Sequence, residues 1–252
     1  MDTMKGVDVS HWNPILNWAA IKAAGYDFAF IKATESPNYM PPDGVDDKLL
    51  LHVRGAEDAG ILWGPYHFWR YYGTGGPEGQ IDAFLANVFG GGGPTCKYIV
   101  LDVEDTAAPK NTVETRRRLA RSLVYLDEKL PTGYEMLIYT ARWWWDPWIG
   151  NDDVTLENGT RVSFTQWPLW VAHYTHNPAI APYLPRTGSW TDYLFYQYTS
   201  SGNILNAGDP TIDLNFTRLT LAQIAHDSTP PAPTIEERLA DLETRVTTLE
   251  AE

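Results

Sequence analysis

The chain has 252 residues, 44% of them apolar and 13% aromatic, enough to bury one large core and too apolar for a disordered chain. Its net charge of −13 argues against nucleic acid as a partner and against electrostatic capture by an anionic envelope. The single cysteine, Cys96, excludes an internal disulfide and a cysteine metal cluster, and is expected to be a buried structural residue. No segment approaches the ~20 apolar residues of a membrane span, and residues 1–5 carry no apolar signal core. The expected product is soluble, made in the cytosol, with no membrane insertion. Eleven tryptophans and fourteen tyrosines exceed the needs of a core this size, which favours a carbohydrate groove walled by rings.

The predicted elements alternate along the chain. A strand over 6–10 leads to a helix that opens at Asn13 and Pro14, a cap followed by proline in the first turn, and stops near Gly25. A strand over 28–33 precedes a helix over about 45–59 that ends at Gly60, and a strand over 62–68 precedes a helix over 78–89. The run 98–103 reads as a buried parallel strand. It is followed by a helix opening at Asn111, with Glu114 three residues on in capping-box spacing, and continuing to Leu130. Strands over 136–140, 169–173, 193–198 and 211–214 complete a set of eight, with one more short helix over 142–149. Later connections are rich in Gly, Pro and Asn. The prediction is an α/β fold, an irregular TIM-like barrel with eight strands and about five helices whose last strands lack full helices.

Residues 228–234, Ser-Thr-Pro-Pro-Ala-Pro-Thr, cannot continue a helix or join a central strand and read as a linker. Beyond them Ile235, Leu239, Leu242, Val246 and Leu249 follow steps of four and three, a heptad seam. The expected organisation is a barrel over 1–227, the Pro-rich linker, and a coiled-coil helix over 235–252 that would assemble a homo-oligomer.

In such barrels chemistry sits at the carboxyl ends of the strands. The ends here carry Asp8 and His11, Lys32 and Glu35, Tyr66 and His67, Asp102 and Glu104, Tyr139, His173 and Tyr174, Gln197, and Asp213. Asp102 and Glu104 stand out. Two residues apart on one strand, they share a face with Cα atoms about 6.6 Å apart, suited to the paired acids of glycosidic hydrolysis. Plainer readings exist for single members: a lone histidine such as His67 is more often structural, Lys32 and Glu35 suit an ion pair, and Tyr139 and Gln197 can bond nearby backbone. Trp170, inside a strand, suits the core.

Six segments together resemble the Chalaropsis-type lysozymes, glycoside hydrolase family 25. They are Gly6-Val7-Asp8-Val9-Ser10-His11-Trp12, Phe30-Ile31-Lys32-Ala33-Thr34-Glu35, Gly64-Pro65-Tyr66-His67-Phe68, Leu101-Asp102-Val103-Glu104, Leu169-Trp170-Val171-Ala172-His173-Tyr174 and Ile212-Asp213-Leu214-Asn215. They occur in the family's order and span about 5–219. The resemblance implies an enzyme cleaving peptidoglycan between N-acetylmuramic acid and N-acetylglucosamine, with no cofactor and no metal. It maps the catalytic acid to Glu104 and the acids around the scissile sugar to Asp8, Asp102 and Asp213. Tyr66, Tyr139, Tyr174 and Gln197 fall at sugar-contact positions, with Lys32, Glu35 and His67 beside them. The sequence departs from the family at Ser36, where a glycine often follows the Thr-Glu pair, and at Tyr196, where a tryptophan often precedes Gln197.

The mechanism expected of Asp102 and Glu104 retains configuration, because acids this close leave no room for the water of an inverting enzyme, which needs ~6.5–9.5 Å. Asp102 then acts as nucleophile or polarises the substrate's own 2-acetamido group. Two other classes fit four carboxylates at a barrel mouth: a metal-dependent phosphoester hydrolase, and a non-catalytic glycan-binding or virion structural module. The setting expected for a muramidase of this kind is a phage lysin, released to the wall of the infected bacterium.

Overall fold

The computed structural model describes residues 3–90, 93–174 and 187–226. The linker 228–234 and the heptad segment 235–252 lie outside the described residues. Strands β1 (Met4–Val9), β2 (Tyr26–Thr34), β3 (Leu62–Phe68), β4 (Tyr98–Asp102) and β5 (Glu135–Ala141) alternate with helices α1 (Trp18–Ala23), α2 (Leu49–Asp58), α3 (Gly76–Phe89) and α4 (Val113–Lys129). After helix α5 (Arg142–Trp148) come a two-stranded ribbon, β6 (Val154–Thr155) with β7 (Arg161–Val162), and then β8 (Leu169–Ala172), β9 (Phe195–Gly202), β10 (Ile212–Thr217) and a short helix α6 (Leu221–Ile224). Eight strands close a barrel in the order β1-β10-β9-β8-β5-β4-β3-β2. The ribbon β6-β7 stands outside it and was not foreseen. Among the described residues no helix is long and apolar enough to cross a membrane.

Alternation along the strands builds two cores, one on each side of the wall. Ile99, Leu101, Ile31, Ile138 and Val171 face outward into the large cluster shared with the helices. Phe28, Phe30, Tyr98, Val100, Leu137, Trp170 and Phe195 face inward and fill the barrel. The foot is plugged by Ile224 of α6, fully buried with Cys96, which is a structural residue as expected. Burial pushes the Cys96 thiol up to about 12. Gly6 is required because a Cβ there would lie 2.3 Å from the Phe28 ring.

Strand β10 runs antiparallel to both its neighbours, β1 and β9. No helix crossover is needed to close the barrel there, and the outer surface is covered by Tyr196 stacked on Phe216, centroids 5.1 Å apart, with Tyr193 and Tyr198 against them. Three predicted helix starts are corrected. Asn13 does not cap α1; its side chain accepts from the Ser10 N–H and donates to Asp209, and Asn17 caps instead, accepting from the Ala20 N–H. The segment after Thr34 runs through turns and returns to a bridge between Thr34 and Val45, so α2 begins at Leu49. Thr112 caps α4, while Asn111, at φ 51°, holds Arg116.

Candidate active site

The barrel interior is layered, and its uppermost layer is polar. Asp8, Lys32, Tyr66, Asp102, Tyr139 and Gln197 ring a cavity of about 230 Å³, with Asp213, Glu104, Ser10, Trp12, Phe68 and Trp170 completing its lining. Eight of the eleven predicted site residues therefore converge. Asp213 arrives by a route the sequence did not suggest. It enters near the start of the antiparallel β10 rather than at a carboxyl end, directly opposite Asp8 in register.

Four carboxylates share this space, none with a paired cation of its own among the described residues. Asp8 is buried at 8% exposure, and burial pushes it up to about 6 although Asn215 and Gln197 donate to it. Burial, with Asp8 close by, pushes Glu104 up to about 7. Burial and then Asp8 push Asp213 up to about 9. Burial and the Glu104 charge raise Asp102 well above the usual carboxylate range. Its Oδ1 is buried and has no hydrogen-bond partner among the described residues.

Gln197 works inside this cluster as well as at its edge. Its Nε2 donates to Asp8 Oδ2 at 2.9 Å and to Asp213 Oδ2 at 3.4 Å, and its Oε1 accepts from the Tyr139 hydroxyl at 2.9 Å. Asn215 donates to the same Asp8 oxygen at 2.7 Å and accepts from the Trp170 indole at 2.9 Å. Trp170 is core, as its strand position implies, packed on Phe30 and Tyr139, yet it also lines the cavity.

Three predicted residues lie elsewhere. His67 is outside the barrel wall, against Phe84 of α3 and bonded to Thr34 Oγ1 at 2.8 Å, because period-two alternation turns it away from Tyr66 and Phe68. Burial pushes it down to about 4, so it stays neutral. Glu35 forms ion pairs with Lys32 and Arg70 and lines an adjoining cavity of about 440 Å³ with His11, Trp12, Tyr39 and Arg70. Tyr174 lies on the rim of a third cavity with Trp143, Asp146 and His173. Sequence reasoning missed Asn215 and Arg70, and passed over Trp12 and Phe68 as site residues. The excess of tryptophan proves mainly structural: nine of the eleven are buried, leaving Trp12 at 84% and Trp143 at 59% exposure.

An acid-lined mouth on a barrel of this order, with a proton-holding glutamate beside a buried aspartate, defines the chain as a barrel glycosidase. It belongs to the glycosyl hydrolases family 25, whose model matches residues 7–207. It is 33% identical over 208 residues to Lysozyme M1 of Streptomyces globisporus, covering 80% of this chain and 63% of that protein. To the N,O-diacetylmuramidase of Chalaropsis sp it is 28% identical, covering 81% of this chain and 94% of the relative. The solved structure of a bacterial lysozyme from Streptomyces coelicolor superposes with a TM-score of 0.66 at 26% identity, covering 89% of this chain and 96% of that one.

Proposed function

We propose that the chain is an N-acetylmuramidase that hydrolyses the β-1,4 bond between N-acetylmuramic acid and N-acetylglucosamine in bacterial peptidoglycan, with retention. The observation that carries this reading is the buried, unpartnered Oδ1 of Asp102 beside a glutamate raised to about 7. Glu104 donates its proton to the leaving oxygen. A 2-acetamido N–H arriving at Asp102 Oδ1 supplies the donor the protein withholds, which favours ionised Asp102 and turns the acetamide oxygen toward the anomeric carbon. Asp8 and Asp213 set the charge around this pair. Tyr66, Tyr139 and the exposed Trp12 wall the glycan's path, with Lys32 and Gln197 holding the rim polar, and Tyr174 and Glu35 sit where the chain would leave the mouth.

The direct test is digestion of purified peptidoglycan with mass analysis: new reducing ends on muramic acid support the reading, and ends on glucosamine or no products oppose it. Azide discriminates the role of Asp102. An Asp102→Gly variant rescued as an α-glycosyl azide would show a nucleophile in place of acetamide assistance. Among the described residues no group of three or more His, Cys, Asp or Glu is arranged to hold a metal ion. The muramidase reading itself predicts activity unchanged by chelators, in contrast to a phosphoester hydrolase.

The heptad seam of 235–252 supports a homo-oligomer, with several catalytic barrels raising avidity for a polymeric wall. Light scattering over a concentration series, before and after deletion of 228–252, checks it; a monomer in both cases would defeat it. The setting we favour is a phage lysin made in the cytoplasm of the infected cell.

A further inference from the structure

Asn215 lies one layer below the acids, fully buried, on the strand that runs against all the others. Its amide stands between two groups of fixed character. The Trp170 indole can only donate, so the amide oxygen must face it, and the amide nitrogen is thereby directed at Asp8. Gln197 mirrors this from β9, its oxygen held by Tyr139 and its nitrogen on the same Asp8 oxygen. Asp8 thus accepts two neutral donors on Oδ2 while also sharing a hydrogen bond with Asp213. Two donors in a site that otherwise disfavours charge select the ionised form of Asp8 over that of its neighbour.

We infer that Asn215 and Trp170 are positioning residues for this site: the indole orients the amide, and the amide holds Asp8 ionised and aimed at the cleft. The inference rests on the muramidase reading, since its consequence for catalysis runs through Glu104. Around Asp8 the titratable groups are Lys32 from β2, Tyr66 from β3, and Asp102 and Glu104 at the end of β4. Tyr139 of β5, Tyr174 beyond β8 and Asp213 of β10 complete the set among the described residues. Glu104, like Asp213 and Tyr66, feels the Asp8 charge as its largest influence after burial itself.

The signs are opposite at the two limbs of the pH–rate profile. Removing a donor makes Asp8 easier to protonate, so the acid limb moves to higher pH. Less charge on Asp8 lets Glu104 release its proton earlier, so the alkaline limb moves to lower pH. The test is kcat/KM against pH on soluble glycan strands for wild type, Asn215→Leu and Trp170→Phe. We expect the profile of Asn215→Leu to narrow from both sides, by about half a unit or more on each, with KM within about threefold. Trp170→Phe keeps an aromatic ring, though a smaller one, but loses the N–H and should narrow the profile less. A purely structural role would lower the height and leave both limbs in place, and that result in both variants overturns the inference. Should Asn215→Leu fail to fold, Trp170→Phe decides alone. If the wild type cleaves no peptidoglycan, the muramidase reading fails separately. The inference is then judged by carbon-13 titration of the Asp8 carboxyl, which should move upward in the variants; an unmoved titration overturns it.

Discussion

Glu104 and Asp105 are neighbours in sequence and opposites in circumstance. Glu104 turns into the cleft among Asp8, Asp102 and Asp213, where burial without a paired cation drives it up to about 7. Asp105 turns away, fully buried, and is held by Arg70 at 2.8 Å and by the Tyr71 N–H at 2.9 Å. Arg70 then reaches Glu35 at 2.6 Å, and Glu35 reaches Lys32 at 2.5 Å, giving a lattice that abuts the acid cluster. Burial alone would raise Glu35, but Lys32 and Arg70 outweigh it and hold it below its ordinary value. A buried carboxyl group thus becomes a proton reservoir or a structural tie according to whether a cation meets it. Lys32 touches both regions, lining the cleft while paired to Glu35.

Substitutions should separate the two regions. The largest expected effect is on rate: Glu104→Gln removes the transferable proton and should lower peptidoglycan hydrolysis by ~10²-fold or more with the melting temperature held or raised. Reducing-end release and calorimetry check both halves. Asp102→Asn should be similarly crippled, since a neutral amide cannot polarise the acetamide. Arg70→Met should do the reverse, leaving buried Asp105 without its cation and Glu35 with Lys32 alone. We expect a loss of about 3 kcal/mol in urea unfolding, larger than any change per folded molecule in KM.

The pH dependence of stability should also divide. Glu35, lowered in the fold, contributes stability that is present above its unfolded value of about 4.3 and is lost as pH falls through its folded value. Asp213, raised to about 9, contributes stability that is fully present below about 4 and is lost as pH rises toward 9. Asp213→Asn should therefore flatten the decline in melting temperature between pH 5 and pH 9; an unchanged slope would place the uptake of protons elsewhere. The smallest effect is expected at the rim. Trp12→Ala should leave stability within about 0.5 kcal/mol and raise KM severalfold, because the ring is 84% exposed and bounds both the cleft and the adjoining cavity.

Much of the site was legible because alternation is a local rule. It placed Asp102 and Glu104 on one face, and the same rule, applied to 64–68, turns His67 outward while Tyr66 and Phe68 point in. The strand runs were legible for a related reason, their continuous burial on two sides. Helix starts were less so, since Asn13 and Asn17 are equally good caps and only the contact of Asn13 with Asp209, 196 residues away, decides between them.

What the sequence by itself determined was the barrel class, the acid pair and the family likeness, all carried by short segments whose pattern needs no partner. Which carboxylates would be paired, and which left to hold protons, was decided only in three dimensions. Arg70 lies 35 residues from both Glu35 and Asp105, and Asn215 lies 207 from Asp8. The reversal of β10, which sets Asp213 opposite Asp8 and Asn215 beneath it, is a property of barrel closure. Proton affinity depends on the neighbours a fold gathers and on the water it excludes, and neither is written in any one segment.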